Sequence, residues 1–166
     1  MTVFSEMRRK CQQLSQEEAI LILSHATSGV LSVIDTNGYP YGVPLSHVYA
    51  DGKIFFHSAI SGHKIDAIRN SNKASFTVIA QDEVHPETFT THFRSVICYG
   101  RVRIIENETE KLSALHMLGK RYNPEEAGIQ HEIDKDFTHV AVIEFTIKHI
   151  TGKEAIELVR ERQTGK

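Results

Sequence analysis

Two short turns constrain the first third of the chain more than any other feature. Thr36-Asn37-Gly38 and Asp51-Gly52 separate runs rich in β-branched and aromatic residues: Gly29–Asp35, Tyr41–Tyr49 and Lys53–His57. Asn-Gly and Asp-Gly pairs accept the positive φ that a tight hairpin needs. Strands joined so closely must run antiparallel, because parallel neighbours need a crossover of about a dozen residues. The three runs therefore predict a meander. Pro44 falls inside the second run, and without an N–H its nitrogen must face a sheet edge, a bulge or a ligand.

Further strands are predicted over Ala74–Ala80, Ser95–Ile105 and Val140–Ile150, with Gly100 where a bend is tolerated and Gly152 turning the chain after the last. Gln81–Thr91 is polar, contains Pro86 and reads as a loop. Ser15 followed by Glu18 is a capping box opening a helix within Leu14–Ala26. Ser58–Asn70 reads as a loop running into a short helix. Leu112, Leu115 and Leu118 give helical spacing over Glu108–Leu118, broken by Asn123-Pro124. Many antiparallel strands and few helices in 166 residues predict one mainly β domain over 1–166. Six strands would form a closed or nearly closed barrel with flanking helices, since closure removes exposed edges.

Composition excludes several functions. Nineteen basic against twenty-one acidic residues leave a net charge of −2, whereas nucleic-acid binders need a basic surplus to replace phosphate counterions. No apolar run approaches the ~18 residues of a spanning helix, and Met1–Lys10 lacks the apolar core of a signal peptide. Cys11 and Cys98 have no metal-like spacing and read as free thiols in a reducing, cytoplasmic compartment. Ten histidines invite a metal site, but none lies in H-E-x-x-H or a compact Cys/His cluster, so no metal is expected. Hydrolase, Rossmann and P-loop signatures are absent.

The chemically informative stretch is His57-Ser58-Ala59-Ile60-Ser61-Gly62-His63-Lys64, which follows a strand and opens a helix. Backbone N–H groups at a helix start, with the dipole behind them, favour an anion. Ser58, Ser61 and Lys64 add donors and a fixed charge, and His57 or His63 can donate to an oxygen. The group suits a phosphate monoester; a capped helix start with solvated polar residues is the alternative.

Five motifs then occur in order. They are Met7-Arg8-Arg9-Lys10, Gly38-Tyr39-Pro40-Tyr41-Gly42-Val43-Pro44-Leu45, Phe56-His57-Ser58-Ala59 with Gly62-His63-Lys64, Arg94-Ser95-Val96 leading to Gly100, and Ile150-Thr151-Gly152-Lys153. Over residues 7–155 the chain resembles the FMN-binding split-barrel proteins of the pyridoxamine 5′-phosphate oxidase-like superfamily, in its nitroimidazole-resistance (Nim-like) branch. The resemblance implies a homodimer of six-stranded antiparallel split barrels with FMN between subunits. It assigns His57, Ser58, Ala59, Gly62, His63 and Lys64 to the flavin phosphate. Pro44, Leu45 and Ser46 would lie along the isoalloxazine, and Ser95 and Val96 would approach from the other subunit.

The oxidases of the superfamily carry Ser-Arg-Lys where this chain has Gly62-His63-Lys64. Histidine cannot make arginine's bidentate fork, and the oxidases' C-terminal arginine region has no counterpart here; both argue against vitamin B6 oxidation. The implied activity is an FMN-dependent oxidoreductase. It would pass electrons from NADH or NADPH to a small acceptor, a nitroaromatic such as a 5-nitroimidazole included. A non-catalytic flavin- or haem-binding protein is the other reading.

Overall fold

The computed structural model describes residues 4–165, so the first three residues of the Met1–Lys10 stretch lie outside it. A 3-10 turn at Lys10–Gln12 leads to α1, Gln16–His25. The capping box forms as read: Ser15 Oγ accepts from Glu18 N–H at 3.1 Å, and Glu18 Oε2 accepts from Ser15 N–H at 2.8 Å. Strands β1 (Ser28–Ile34) and β2 (Pro40–Ser46) make the first hairpin, with Val30 opposite Pro44. The Asp35 carboxylate closes its turn by accepting from Asn37 N–H (2.9 Å) and Tyr39 N–H (2.8 Å), and Gly38 takes φ +85°. Strands β3 (Val48–Ala50) and β4 (Lys53–Ala59) make the second, with Asp51 and Gly52 both at positive φ.

The expected continuous strand Tyr41–Tyr49 is broken at His47, so among the described residues there are seven strands rather than six and the expected three-strand meander does not form. With β5 (Lys73–His85), β6 (Thr90–Ile104) and β7 (Val140–Glu154), the antiparallel order is β2-β1-β5-β6-β7-β4-β3. The two halves of the expected strand stand at opposite ends of that order. They are consecutive in the chain, so the sheet curls until its ends meet at His47, the geometry of a split barrel. The break has a tertiary cause. Tyr122 Oη accepts from the His47 N–H at 2.9 Å and lies 2.6 Å from the Thr27 carbonyl, drawing the His47 backbone out of the ladder. The His47 ring is buried with Nε2 2.9 Å from the Leu23 carbonyl, and Nδ1 has no partner among the described residues. Burial holds its pKa below that of an ordinary histidine, because a desolvated ring favours its neutral form. Pro44 lies on terminal strand β2, as a strand proline requires.

Three further expectations are corrected. Gln81–Thr91 is a hairpin arm rather than a loop: β5 and β6 stay paired to His85 opposite Thr90, beyond a register shift between Ile79 and Gln81. Its faces are largely open to solvent, so no alternation marks it in the sequence. Gly152 lies inside β7, not at a turn; it is buried beneath Leu14 and Ala19, where a Cβ would come within 3.0–3.1 Å of their side chains. The helix expected to end at Leu118 continues as α3, Glu108–Tyr122, capped by Asn107 and ending at Asn123.

Helix α2 spans His63–Asn70, α4 Ile129–Asp136 and α5 Ile156–Thr164. The main core fills the barrel with Phe56, Phe76, Phe145, Leu23, Leu31 and Ile65, while a second cluster joins Phe55 and Val142 to α3 and α4. The cysteines are unpaired, Cys11 exposed and Cys98 buried. No helix among the described residues is long and apolar enough to cross a membrane.

One buried charge gives the fold a pH dependence. Glu144 accepts from Arg103 Nε (2.9 Å), Arg103 Nη2 (3.1 Å) and Lys53 Nζ (2.9 Å). The Arg103 bonds hold its carboxyl below the usual 4.5 despite the opposing effect of burial, with Lys53 adding to the lowering. A lowered carboxyl stabilises the fold fully above its ordinary value, and that contribution fades as pH falls through the lowered one. Urea unfolding between about pH 5 and 3 is expected to show a steeper loss of stability in the wild type than in Glu144→Gln. Equal slopes would remove Glu144 from the acid response.

Candidate functional site

The end of β4 delivers His57, Ser58 and Ala59 to a loop that enters α2 through Gly62. Gly62 adopts φ +121°, and nothing lies within 4 Å of where a Cβ would stand, so the backbone is open to a ligand. Among the described residues no side chain caps this helix start, nor those of α4 and α5, whereas Ser15 and Asn107 cap α1 and α3. Lys64 folds back from the first turn and donates from Nζ to Ser58 Oγ at 2.7 Å. That hydroxyl is its one polar partner among the described residues. A lysine charge, a serine hydroxyl and uncapped N–H groups thus converge on one corner, the donor set of an anion site.

His63 turns elsewhere. Its ring stands edge-on to Tyr41 with centroids 4.5 Å apart, and Nε2 lies 3.7 Å from Asp35 Oδ2. The side chain ties α2 to the first hairpin, so what it offers the corner is its backbone N–H.

The other sequence-assigned residues divide by sheet face. Pro44 and Ser46 point outward from β2 while Leu45 packs against the core, and on β6 Ser95 points outward while Val96 is fully buried. Pro44, Ser46 and Ser95 therefore share one outer face, with β1 and β5 between them. β6 stands three strand spacings from β2, roughly 14 Å. One chain does not by itself gather Ser95 with the His57–Lys64 corner.

Ser46 and His57 do open on common space. Both line a pocket of about 310 Å³ whose walls are Leu115, Leu118, Gly119 and Tyr122 of α3, Ile133 of α4 and Val140 of β7. Glu132 and Asp136, exposed on α4, supply negative charge beside it. Sequence reasoning missed the α4 residues, although Ile129 and Ile133, four apart, are the signal of a helix burying one face. Among the described residues no three His, Cys, Asp or Glu side chains gather so as to hold a metal ion.

Residues 15–154 match the family described as pyridoxamine 5′-phosphate oxidase. The chain belongs to that family. A comparison with curated protein sequences found no match. Among solved structures, the pyridoxamine 5′-phosphate oxidase-family chain resembles a candidate 5-nitroimidazole antibiotic resistance protein from Bacteroides thetaiotaomicron. The TM-score is 0.72, with 23% identity over 86% of each chain. It also resembles a flavocytochrome from Azotobacter vinelandii (TM-score 0.76, 20% identity, 93% of this chain and 74% of that one). A third neighbour is an FAD and heme binding protein from Mycobacterium smegmatis (0.73, 18%, 87% and 73%). At these identities the likeness shows the shared fold.

Proposed function

We propose that this family member is an FMN-dependent oxidoreductase that works as a homodimer and belongs to the Nim-like branch. The observation that carries the flavin reading is the Lys64–Ser58 contact at the open, uncapped start of α2, one residue along β4 from His57 of the pocket that Ser46 also lines. The corner fits a phosphate monoester: Lys64 supplies charge, Ser58 a hydroxyl, and Gly62 an approach no Cβ obstructs. Fold relatives named as a flavocytochrome and as an FAD and heme binding protein support a flavin. A bound flavin supplies hydride acceptance from a reduced nicotinamide and electron delivery to a second substrate. The chain holds the phosphate and walls the reaction from water with Leu115, Leu118 and Ile133. His57, exposed at the pocket, is the histidine positioned to contact the cofactor. Glu132 and Asp136 favour a neutral or cationic acceptor over an anionic one, and a neutral nitroimidazole satisfies that preference.

The homodimer rests on the outer face of β2, β1, β5 and β6. Along the paired positions Pro44–Val30–Thr77–Ile97 and Gly42–Ser32–Ser75, that face carries small and apolar side chains, and its basic residues, Lys73 and Arg101, stand at the end of β5 and β6 away from Ser95. The outward face of an antiparallel sheet is ordinarily solvated and polar. Ile79 is 69% exposed and Val30 37%, as suits a face covered by a second copy. Pro44, Ser46 and Ser95 all lie on it, so a second copy would bring Ser95 to its partner's corner.

The activity is tested by anaerobic addition of NADH or NADPH to the flavin-loaded protein, followed by a 5-nitroimidazole. Bleaching and then recovery of the flavin absorbance is expected; a flavin that neither donor reduces would overturn the reading. Ser95→Trp is expected to lower the ratio of bound flavin to protein while the circular dichroism stays unchanged. Full occupancy in that variant would put residue 95 away from the cofactor. Sedimentation should give twice the 18.8 kDa chain mass, and a monomer holding its flavin would refute the dimer.

A further inference from the structure

A second cavity, of about 500 Å³, opens on the barrel away from the Ser46–His57 pocket and shares no lining residue with it. Its walls are Phe4, Ala74, Tyr99 and Gly100, and three cations, Lys73, Arg101 and Lys148, border it. The aromatic side is preassembled. The Phe4 ring stacks on His149 with centroids 4.9 Å apart and planes 5° from parallel, and on Tyr99 at 5.5 Å.

The charges are arranged at a cost. Lys73 and Arg101 stand directly opposite each other in the β5–β6 ladder, where like charges repel, and Lys148 joins them from β7. Among the described residues none of the three pairs with a carboxylate; Arg101 Nη1 donates to Asn72 Oδ1 at 2.6 Å. Neighbouring arginines of the same sheet are neutralised, Arg94 by Glu154 and Arg103 by Glu144 and Glu110. Three uncompensated cations on a chain of net charge −2 therefore gather around one apolar, ring-lined cavity.

That combination selects its occupant. The apolar walls give an inorganic anion nothing to bury against, and the cations give a neutral hydrocarbon nothing to pair with. An aromatic body bearing one acidic group satisfies both, its ring on Tyr99 and Phe4 and its anion between the opposed Lys73 and Arg101. We propose that this cavity binds small aromatic anions: a planar ring carrying a sulfonate, phosphate or carboxylate.

The test is calorimetric titration with naphthalene-2-sulfonate of the full chain loaded with one FMN and cleared of unbound FMN, so that the His57–Lys64 corner is filled and no free flavin competes. One probe per chain is expected to bind, more weakly at about 500 than at about 50 mM sodium chloride. The exposed-residue variant K73Q/R101Q/K148Q should bind it at least about tenfold more weakly, with an unchanged circular dichroism spectrum. Neutral 2-naphthol should bind wild type and variant alike. Absence of saturable sulfonate binding, or equal affinity in the triple variant, would overturn the assignment. So would a loss of 2-naphthol binding as large as that of the sulfonate, which would mean a cavity collapsed rather than discharged.

Discussion

Replacing Phe76 by alanine is expected to lower the unfolding free energy by about 3–5 kcal/mol, the scale for deleting a fully buried aromatic ring. Phe76 has no exposed surface, and its ring stands edge-on to Phe56 (centroids 5.1 Å) and to His47 (4.8 Å). It also occupies the space beside Gly29: a Cβ on residue 29 would fall 2.5 Å from Phe76 Cζ. The ring therefore joins β1, β4 and β5 to the place where the sheet's two ends meet. With only glycine on one side, no neighbouring side chain is ready to fill the void. Urea unfolding measures the loss directly. Leu21→Ala, on helix α1 and 59% exposed, should stay within about 0.5 kcal/mol of wild type. A Phe76→Ala loss under about 1 kcal/mol would contradict the packing described.

The second large effect concerns the ligand rather than the fold. Lys64→Ala is expected to weaken FMN binding by about 1–3 kcal/mol, or roughly five- to 150-fold in Kd, the scale of a lost charge-assisted hydrogen bond. Lys64 is half-buried and, among the described residues, its amine meets only the Ser58 hydroxyl, so the free protein has little to lose. Unfolding of the ligand-free variant should therefore shift by less than about 1 kcal/mol. A fluorescence titration with FMN reads the affinity, and an unchanged Kd would remove Lys64 from the phosphate site. Ser58→Ala should follow in the same direction by about 1 kcal/mol, because a neutral hydroxyl contributes less than an ammonium.

What local chemistry dictates could be read from the sequence. Ser15 and Glu18 cap their helix, the Asn37-Gly38 and Asp51-Gly52 turns form, and the chain passes from β4 into α2 at the glycine expected to open the anion corner. The side of Pro44 follows equally from its missing N–H. The strand break at His47 could not be read, because Val43, Leu45, His47 and Tyr49 continue a plain alternation. What interrupts it is the Tyr122 hydroxyl, 75 residues away. The same limit applies to His63. Its position in the motif suggests a phosphate contact, but Tyr41 and Asp35, brought near by the first hairpin, hold its ring. The arm over Gln81–Arg94 has little buried face to mark it, and Gly152 looks like a turn until Leu14 and Ala19 are packed over it. The pocket lined by Ser46 and His57 draws on β2, β4, α3, α4 and β7, so no single stretch announces it.

The absorbance spectrum of the purified protein, followed by heat release and chromatography of its chromophore, bears most directly on the flavin site. Flavin bands and released FMN, one per chain, are the predicted result. A colourless protein that takes up no added FMN, or a red one with a Soret band, would contradict it.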